Sequence, residues 1–232
     1  MSPPFLSVII PVFRDADELR TLLRILCAHC RRDRIEIVVV NGDSADRCLH
    51  ELRFQYRNVR WVDSPPGRGR QMNEGAHASA ASWLMFLHAD VRLHHDWLSV
   101  IEEADRKPEV VGGAFRFSLP TKRLFARVIE HAVAARVRLF ALPYGDQAFF
   151  VRRTAFERIG GFAPVPLMED VDFIRRLAVI GRLWFPDTAV VVSPRRWDKD
   201  GWLRRTISNL ALLALFFCGV SPNRLARWYQ KE

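Results

Sequence analysis

The sequence predicts an α/β fold: a mostly parallel central sheet flanked by helices, with a C-terminal helical extension. Three observations carry this prediction. Residues 5–12 and 35–40 are β-branched apolar runs, continuous rather than alternating, as strands buried on both faces require. Between them Leu19, Leu22, Leu23 and Leu26 recur at helical spacing on one face. Strand then alternates with helix through short polar loops, the pattern of parallel strands joined by crossover helices.

Taken in order, the first strand is followed by Asp15 and, three residues on, Glu18, a capping box with Asp in the cap. The second strand stops at Asn41-Gly-Asp-Ser-Ala-Asp46, a turn-forming loop whose Asp46 suits the cap of a short helix at 46–54. A strand at 59–62, the segment Ser64-Pro-Pro-Gly-Arg-Gly-Arg70, an Ala-rich helix to 81 and a strand at 83–87 follow, ending at His88-Ala-Asp90. Ligands of such sheets bind beyond the carboxyl ends of the strands, where the 41–46 loop, the Arg-Gly-Arg loop and Asp90 all fall.

After Asp90 the pattern changes. Residues 110–117 read as a strand and 122–142 as a long helix with Arg123, Arg127, Glu130 and Arg138 on one stripe. Tyr144-Gly-Asp-Gln147 leads into a strand at 148–151, and Gly160-Gly161 stops a short helix. Met168-Glu-Asp170 opens another helix, with Phe173, Leu177 and Ile180 inward, before a strand at 189–192. The expected division is one domain over 1–200 and an apolar helical extension over 201–232.

The chain has 232 residues, 49% hydrophobic and 26% charged, which excludes a disordered or collagen-like protein. Four cysteines are too few for a disulfide scaffold. Lys and Arg number 35 against 26 Asp and Glu, and the net charge of +9 favours phosphates, nucleic acid or an anionic membrane face as partner. Cys27-Ala-His-Cys30 sits at a helix end, where no dipole lowers a thiol pKa, and no second pair completes a zinc site; buried, inert thiols in a reducing cytoplasm are expected. Met1-Ser-Pro-Pro-Phe5 lacks the pattern of a secretory leader, so the expected location is cytoplasmic, with peripheral contact at the inner membrane face as an extension.

Between Arg205 and Arg224 no charged residue occurs, and residues 210–220 are apolar on every face yet too few to span a bilayer. Trp202, Arg204 and Arg205 precede this stretch; Arg224, Arg227, Trp228 and Tyr229 follow. Burial against the domain, docking on a membrane surface and a homodimer contact through 202–229 all suit that composition.

Each candidate for chemistry has a plainer alternative. Asp90 either ligates a divalent cation or caps the next helix, and His88 is either a second ligand or a polar residue at the strand mouth. Asn41, Asp43 and Asp46 either hold a base and ribose or form an Asx-turn and a cap. Arg68 and Arg70, beside Gly67 and Gly69, embrace phosphate oxygens or make a solvated turn; Asn73 adds a contact or is an exposed helical residue. Glu169-Asp170 either complements a helix dipole or takes a proton from a hydroxyl. Asp146 holds an acceptor or caps a turn, and Arg195-Arg196-Trp197 neutralises a departing diphosphate or stacks at the surface.

In their order these segments resemble a known family. Ser7-Val-Ile-Ile-Pro11-Val12, the 41–46 loop, Asn73-Glu-Gly-Ala76, Phe86-Leu-His-Ala-Asp90, Gly160-Gly-Phe162 and Glu169-Asp170 are similar to family 2 glycosyltransferases of GT-A fold. A closer resemblance, to the radical-SAM/selenodomain-associated transferases also labelled arsenosugar-biosynthesis glycosyltransferases, lies in Gly-Arg-Gly-Arg-Gln-Met-Asn73, Leu-His-Ala-Asp90, Tyr-Gly-Asp-Gln147, Leu-Met-Glu-Asp170 and Arg-Arg-Trp197. The resemblance runs from about residue 6 to about 229. It implies a sheet with one reversed strand, a nucleotide-sugar donor, a hydroxyl acceptor and Mg²⁺ or Mn²⁺. Pro11, Asn41, Asp43, Arg68, Arg70, Asn73, Arg195, Arg196 and Trp197 would then hold the donor, and Asp146 and Gln147 the acceptor. Asn41 stands where an Asp usually binds the base. Asp90 matches the last Asp of the metal-binding D-x-D, with His88 in place of the first. Asp170 matches the base of inverting members, with Glu169 beside it.

Two rivals remain at this level. A sugar-phosphate nucleotidyltransferase uses a related sheet, but its glycine-rich phosphate loop follows the first strand, where this chain has Pro11-Val-Phe-Arg14. A basic nucleic-acid-binding or scaffold protein would suit the charge, but no aromatic stacking array accompanies it, so no nucleic-acid partner is expected.

Overall fold

The apolar runs form the centre of a seven-stranded sheet. The structure is a computed structural model that describes residues 3–29 and 34–229, apart from the side chains of His29 and Arg196. Strand β1 (Leu6–Val12) lies between β2 (Ile35–Asn41) and β4 (Trp83–Phe86) and runs parallel to both. Beyond β2 lies β3 (Arg60–Asp63), also parallel. On the other side β8 (Phe149–Arg152) runs antiparallel to both β4 and β6 (Val110–Ala114), and β9 (Arg182–Trp184) closes the order β3-β2-β1-β4-β8-β6-β9. The single reversed strand is therefore β8. A small second sheet, β5 (Val91–Leu93), β10 (Ala189–Val192) and β7 (Arg116–Ser118), stands next to it in the order β5-β10-β7.

The expected strand at 110–117 divides into two pieces. Phe115 donates its N–H to Gln147 and Arg116 to Thr188, so the chain changes partners there and passes from the large sheet to the small one. Strands β5 and β9, three residues each, carry too little pattern to be read in advance.

Alternate residues of β1 and β2 feed two cores, one on each face. Leu6, Val8 and Ile10 meet the Leu19, Leu22, Leu23, Leu26 face of α1 (Ala16–His29), while Ile9, Val38 and Val40 meet Met72 and Ala76 of α3 (Arg68–His77). The second core continues into rings that support α7 (Glu169–Ile180): Phe162 stacks on Phe173 with centroids 4.0 Å apart, and Phe86 lies edge-on to Phe162 at 4.8 Å.

Close strand approach makes one glycine indispensable. A Cβ on Gly113 of β6 would lie 1.8 Å from the carbonyl oxygen of Trp184 in β9. Gly113→Ala must therefore push β6 and β9 apart, and thermal denaturation should show a loss of about 3 kcal/mol or more, roughly 10 °C in Tm.

At the C-terminus, α9 (Trp202–Phe217) and α10 (Pro222–Tyr229) fold back over the second core, where Leu212 and Leu225 are buried. Leu203, Ile207, Leu210 and Phe217 of α9 remain exposed. No helix among the described residues is long and apolar enough to cross a membrane.

The thiols differ from expectation. Cys48 and Cys218 are exposed, Cys27 is half-buried with Asn58 Nδ2 donating to its Sγ at 3.8 Å, and Cys30 lies outside the described residues. The cause is position: Cys48 is in the first turn of α2 (Arg47–Gln55), and Cys218 is the residue after α9.

Candidate active site

The carboxyl ends of β1, β2 and β4 share one edge of the sheet, and two joined cavities open there. The larger, about 480 Å³, is lined by Pro11 to Phe13, by Pro66 to Arg68 at the start of α3, and by His88 to Asp90 after β4. The smaller, about 130 Å³, lies between Asp90, Asp146, Asp170 and Trp197. Arg68, His88, Asp90, Leu167, Glu169 and Tyr229 line both.

The reversed strand brings the acidic side of the site into place. Because Phe86 pairs with Phe149, the 3-10 turn Gly145–Gln147 that precedes β8 lies beside His88. A Cβ on Gly145 would come within 3.2 Å of the His88 ring, so only glycine fits there without displacing the imidazole. The Gly145 N–H donates to Asp170 Oδ2 at 2.9 Å, and the Val171 N–H to Asp170 Oδ1 at 2.8 Å. Asp170 is thus fixed by two backbone donors at the first turn of α7. Met168, just before that helix, is held at φ 65°, a left-handed conformation unusual for its type and stored next to the acidic pair.

Arg68 links the two helix starts. Its Nη1 lies 3.5 Å from Glu169 Oε1, and the carboxyl is almost wholly buried. Gly69 permits this approach, since a Cβ there would press on the Ala163 carbonyl oxygen at 3.0 Å and on Glu169 Cβ at 3.4 Å. Burial pushes the Glu169 carboxyl up to about 7, reinforced by the charge of Asp170 and opposed by Arg68. Loss of water pulls the Arg68 pKa down, but Glu169, Asp170, Tyr229 and Asp90 together outweigh this and raise it. The site is a single cation set among carboxylates at the amino end of a helix, so a phosphate anion placed there would draw on Arg68 and the helix terminus and would need further positive charge for balance.

Several residues predicted for the site make contacts within the chain. Asn41 is buried, accepts the Asp43 N–H at 2.9 Å and donates to Asp63, which is the Asx-turn alternative. Asp43 accepts from Arg14 Nε at 2.7 Å, and that hydrogen bond lowers its pKa. Asp46 caps α2 by accepting the N–H groups of Cys48 and Leu49. Asn73 clamps the glycine turn, donating to the Phe162 carbonyl and accepting the Phe162 N–H at 2.8 Å. Gln147 is buried beneath its turn, donating to the Phe115 carbonyl and accepting from Tyr144 and Arg136. Arg70 is exposed in the first turn of α3. Arg195 donates to Asp15 at 2.9 Å, and the pairing raises its pKa. That holds α8 (Arg195–Asp200) to the edge of the larger cavity, which Asp15 lines. The Arg196 side chain lies outside the described atoms. Trp197 lines the smaller cavity.

Three contributors escaped sequence reasoning. Gln71, buried in α3, donates to the carbonyls of both Val12 and Val40 at 2.9 Å and so fixes the ends of β1 and β2. From the extension, Tyr229 lines both cavities and Arg205 the smaller one, and Arg205 donates to the Tyr229 hydroxyl. Gln71 lies inside a glycine-arginine motif that drew attention to its neighbours. Tyr229 and Arg205 read in the sequence only as flanks of an apolar stretch, because it is the packing of α9 and the fold-back of α10 that bring them to the sheet edge.

The donor set at the strand mouth suits a hard divalent cation in part. His88 and Asp90 line the same two cavities, offering one imidazole and one carboxylate. Among the described residues, the His, Cys, Asp and Glu groups that gather three ligand atoms closely are His94, His95 and Asp96, all exposed. The Asp90 carboxylate fits a cation that also takes substrate phosphate oxygens, as Mg²⁺ commonly does, and the His88 imidazole is the poorer match for so hard an ion.

A model of the family described as Glycosyl transferase family 2 matches residues 7–166. The chain belongs to that family. This family 2 chain is 27% identical over 229 residues to a Bacillus subtilis (strain 168) protein described as a probable glycosyltransferase, YdaM, covering 88% of the chain and 54% of the relative. It is 28% identical over 125 residues to the glycosyltransferase AglE of Haloferax volcanii, covering 50% and 41%. The chain therefore spans about half the length of the curated relatives it matches. Among solved structures, the mannosyltransferase PcManGT from Pyrobaculum calidifontis in complex with GDP-Man and Mn²⁺ superposes with a TM-score of 0.70 at 18% identity, covering 98% of this chain and 69% of that one. S. aureus TarS 1-349 in complex with UDP-GlcNAc gives 0.63 at 16% identity, covering 81% and 58%. The architecture is the GT-A-like α/β fold that the strand order and the reversed β8 describe.

Proposed function

We propose that this chain transfers a sugar from a nucleoside-diphosphate donor to an acceptor hydroxyl, with inversion at the anomeric carbon. The observation that carries this reading is the meeting of Arg68, Asp90, Glu169 and Asp170 at two joined cavities on the carboxyl edge of the sheet. The donor lies in the larger cavity, its base toward Pro11 and the 41–46 loop and its diphosphate against Arg68 and the amino end of α3. The acceptor approaches from the smaller cavity, beside Asp146 and Trp197. Asp170, oriented by the Gly145 and Val171 amides, takes the hydroxyl proton as the acceptor oxygen bonds to the anomeric carbon. The bond from that carbon to the diphosphate breaks, and its electron pair leaves on the phosphate oxygen, which Arg68 stabilises. Asp90 and His88 would hold Mg²⁺ or Mn²⁺, which supplies further neutralisation of the diphosphate.

The finer resemblance, to the radical-SAM/selenodomain-associated subgroup, is supported by Gly145 and Gln71. Both stand in its motifs, and both have geometric tasks at the site. Residues 1–200 form the transferase domain in this reading. The extension over 201–232 completes its wall with Arg205 and Tyr229, and a cytoplasmic chain with peripheral contact at the inner membrane face fits the exposed apolar face of α9.

A thermal-shift panel of nucleoside diphosphates, each with and without Mn²⁺, tests the reading. One base should raise Tm selectively, by roughly 5–10 °C at a hundredfold excess over Kd, and more with the metal. No shift with any nucleoside diphosphate at millimolar concentration would reject a donor site here.

A further inference from the structure

A third cavity, about 790 Å³, runs between α5 (Leu124–Phe140) and α9 and is lined mostly by carbon. Ala132 and Ala135 of α5 and Leu210 and Leu213 of α9 form much of its walls. It adjoins the smaller cavity, with Tyr144, Asp146, Trp197 and Asn209 lining both. At its outer end Leu139, Phe140, Leu210 and Phe217 are between about half and three-quarters exposed, an apolar rim that water does not favour. On the shared wall, the indole Nε1 of Trp197 is buried with no hydrogen-bond partner among the described residues.

We propose that this groove binds the hydrocarbon chain of a lipid alcohol, and that this alcohol is the acceptor. The ligand chemistry follows from the two ends of the groove. The inner end opens beside Asp146 and Asp170, where polar groups suit a hydroxyl. The outer path offers alanine, leucine and phenylalanine over a length that a sugar acceptor would leave dry and unpaired. Arg136 stacks on Tyr144 at 3.5 Å and Arg175 on Phe217 at 5.2 Å, so the two guanidinium groups at the groove are already engaged with rings. The assignment rests on the reading of Asp170 and Arg68 given above; transfer itself is as written there, with the lipid hydroxyl as the attacking group.

The test is quenching of tryptophan emission in the full chain by 12-bromododecanol, with bromohexanol as the short probe. The long probe should quench saturably, with affinity rising by up to about fourfold per added methylene. Ala132→Phe and Ala135→Phe, at exposed positions of α5, fill the groove and should weaken binding at least tenfold while leaving the nucleoside-diphosphate thermal shift unchanged. Equal affinity for the short and long probes, or undiminished quenching in the filled variants, overturns the proposal. So does a dimer in sedimentation that the same variants dissociate, since the groove would then be a subunit contact. Binding to anionic vesicles that the filled variants leave intact would likewise assign the apolar rim to the membrane surface alone. A nucleotide shift without alcohol binding defeats this inference only, whereas alcohol binding without any nucleotide shift defeats the donor site.

Discussion

Asp170→Asn is expected to remove sugar transfer and leave nucleotide affinity largely intact. The Asp170 carboxylate lines the smaller cavity and not the larger, whereas Pro66 and Gly67 before α3 line the larger and Arg68 lines both. With Asp170 as the proposed base, its replacement by an amide should cost 10²- to 10⁴-fold in kcat, the usual contribution of a positioned proton acceptor. The amide has a structural cost too. Asp170 accepts from two backbone N–H groups, one on each oxygen, and Asn retains only one acceptor. One donor is then left facing an NH₂ group, for a loss of about 1 kcal/mol. Single-turnover kinetics with the donor bound separate the two effects, because a structural loss of this size cannot lower turnover a hundredfold. Unchanged turnover in a folded variant that still binds nucleotide would move the proton acceptor elsewhere, with Asp146 the next candidate.

The sequence carried the sheet centre well, since strands buried on both faces announce themselves as unbroken apolar runs. It also carried the edge on which the site lies, because turn residues at strand ends fall on one side when strands are parallel. What it could not separate was contact with a ligand from contact with the chain. Asn41, Asn73 and Gln147 are polar residues in the right segments, and each has partners within the chain, backbone groups in every case and the Asp63 or Arg136 side chain in two. An amide matches a peptide group as well as it matches a nucleotide, and residue type alone does not tell the two apart. Gln71 shows the converse: a buried amide whose importance lies in joining two strand ends that are 28 residues apart in sequence. Tyr229 and Arg205 were legible only as interface-like aromatic and basic flanks. Composition pointed to an interface and could not name what it faces, because the fold-back of α10 rests on Leu225 entering a distant core.

The second large effect concerns pH. Burial, with the Asp170 charge, raises the Glu169 carboxyl to about 7 from an ordinary value of 4.5, Arg68 opposing. A group whose folded pKa is raised gives stability that is complete below the unfolded value and lost as pH climbs through the folded one. The native chain should therefore lose stability between about pH 4.5 and pH 7 on this account, where it retains a proton that the unfolded chain has released. Glu169→Gln removes that proton exchange and keeps the shape. Denaturant titrations across this range should show a falling curve for the native protein and a flatter one for the variant. At pH 8 the variant should be the more stable by at most roughly 3 kcal/mol. The reverse order at pH 8 would mean that the Arg68 pair outweighs burial of the carboxylate. Donor binding is coupled to the same proton. A diphosphate against Arg68 places negative charge beside Glu169 and competes for its partner, so nucleotide binding near pH 7.5 should draw a proton from solution. Calorimetry in buffers of differing ionisation enthalpy reads that uptake directly, and Glu169→Gln should abolish it.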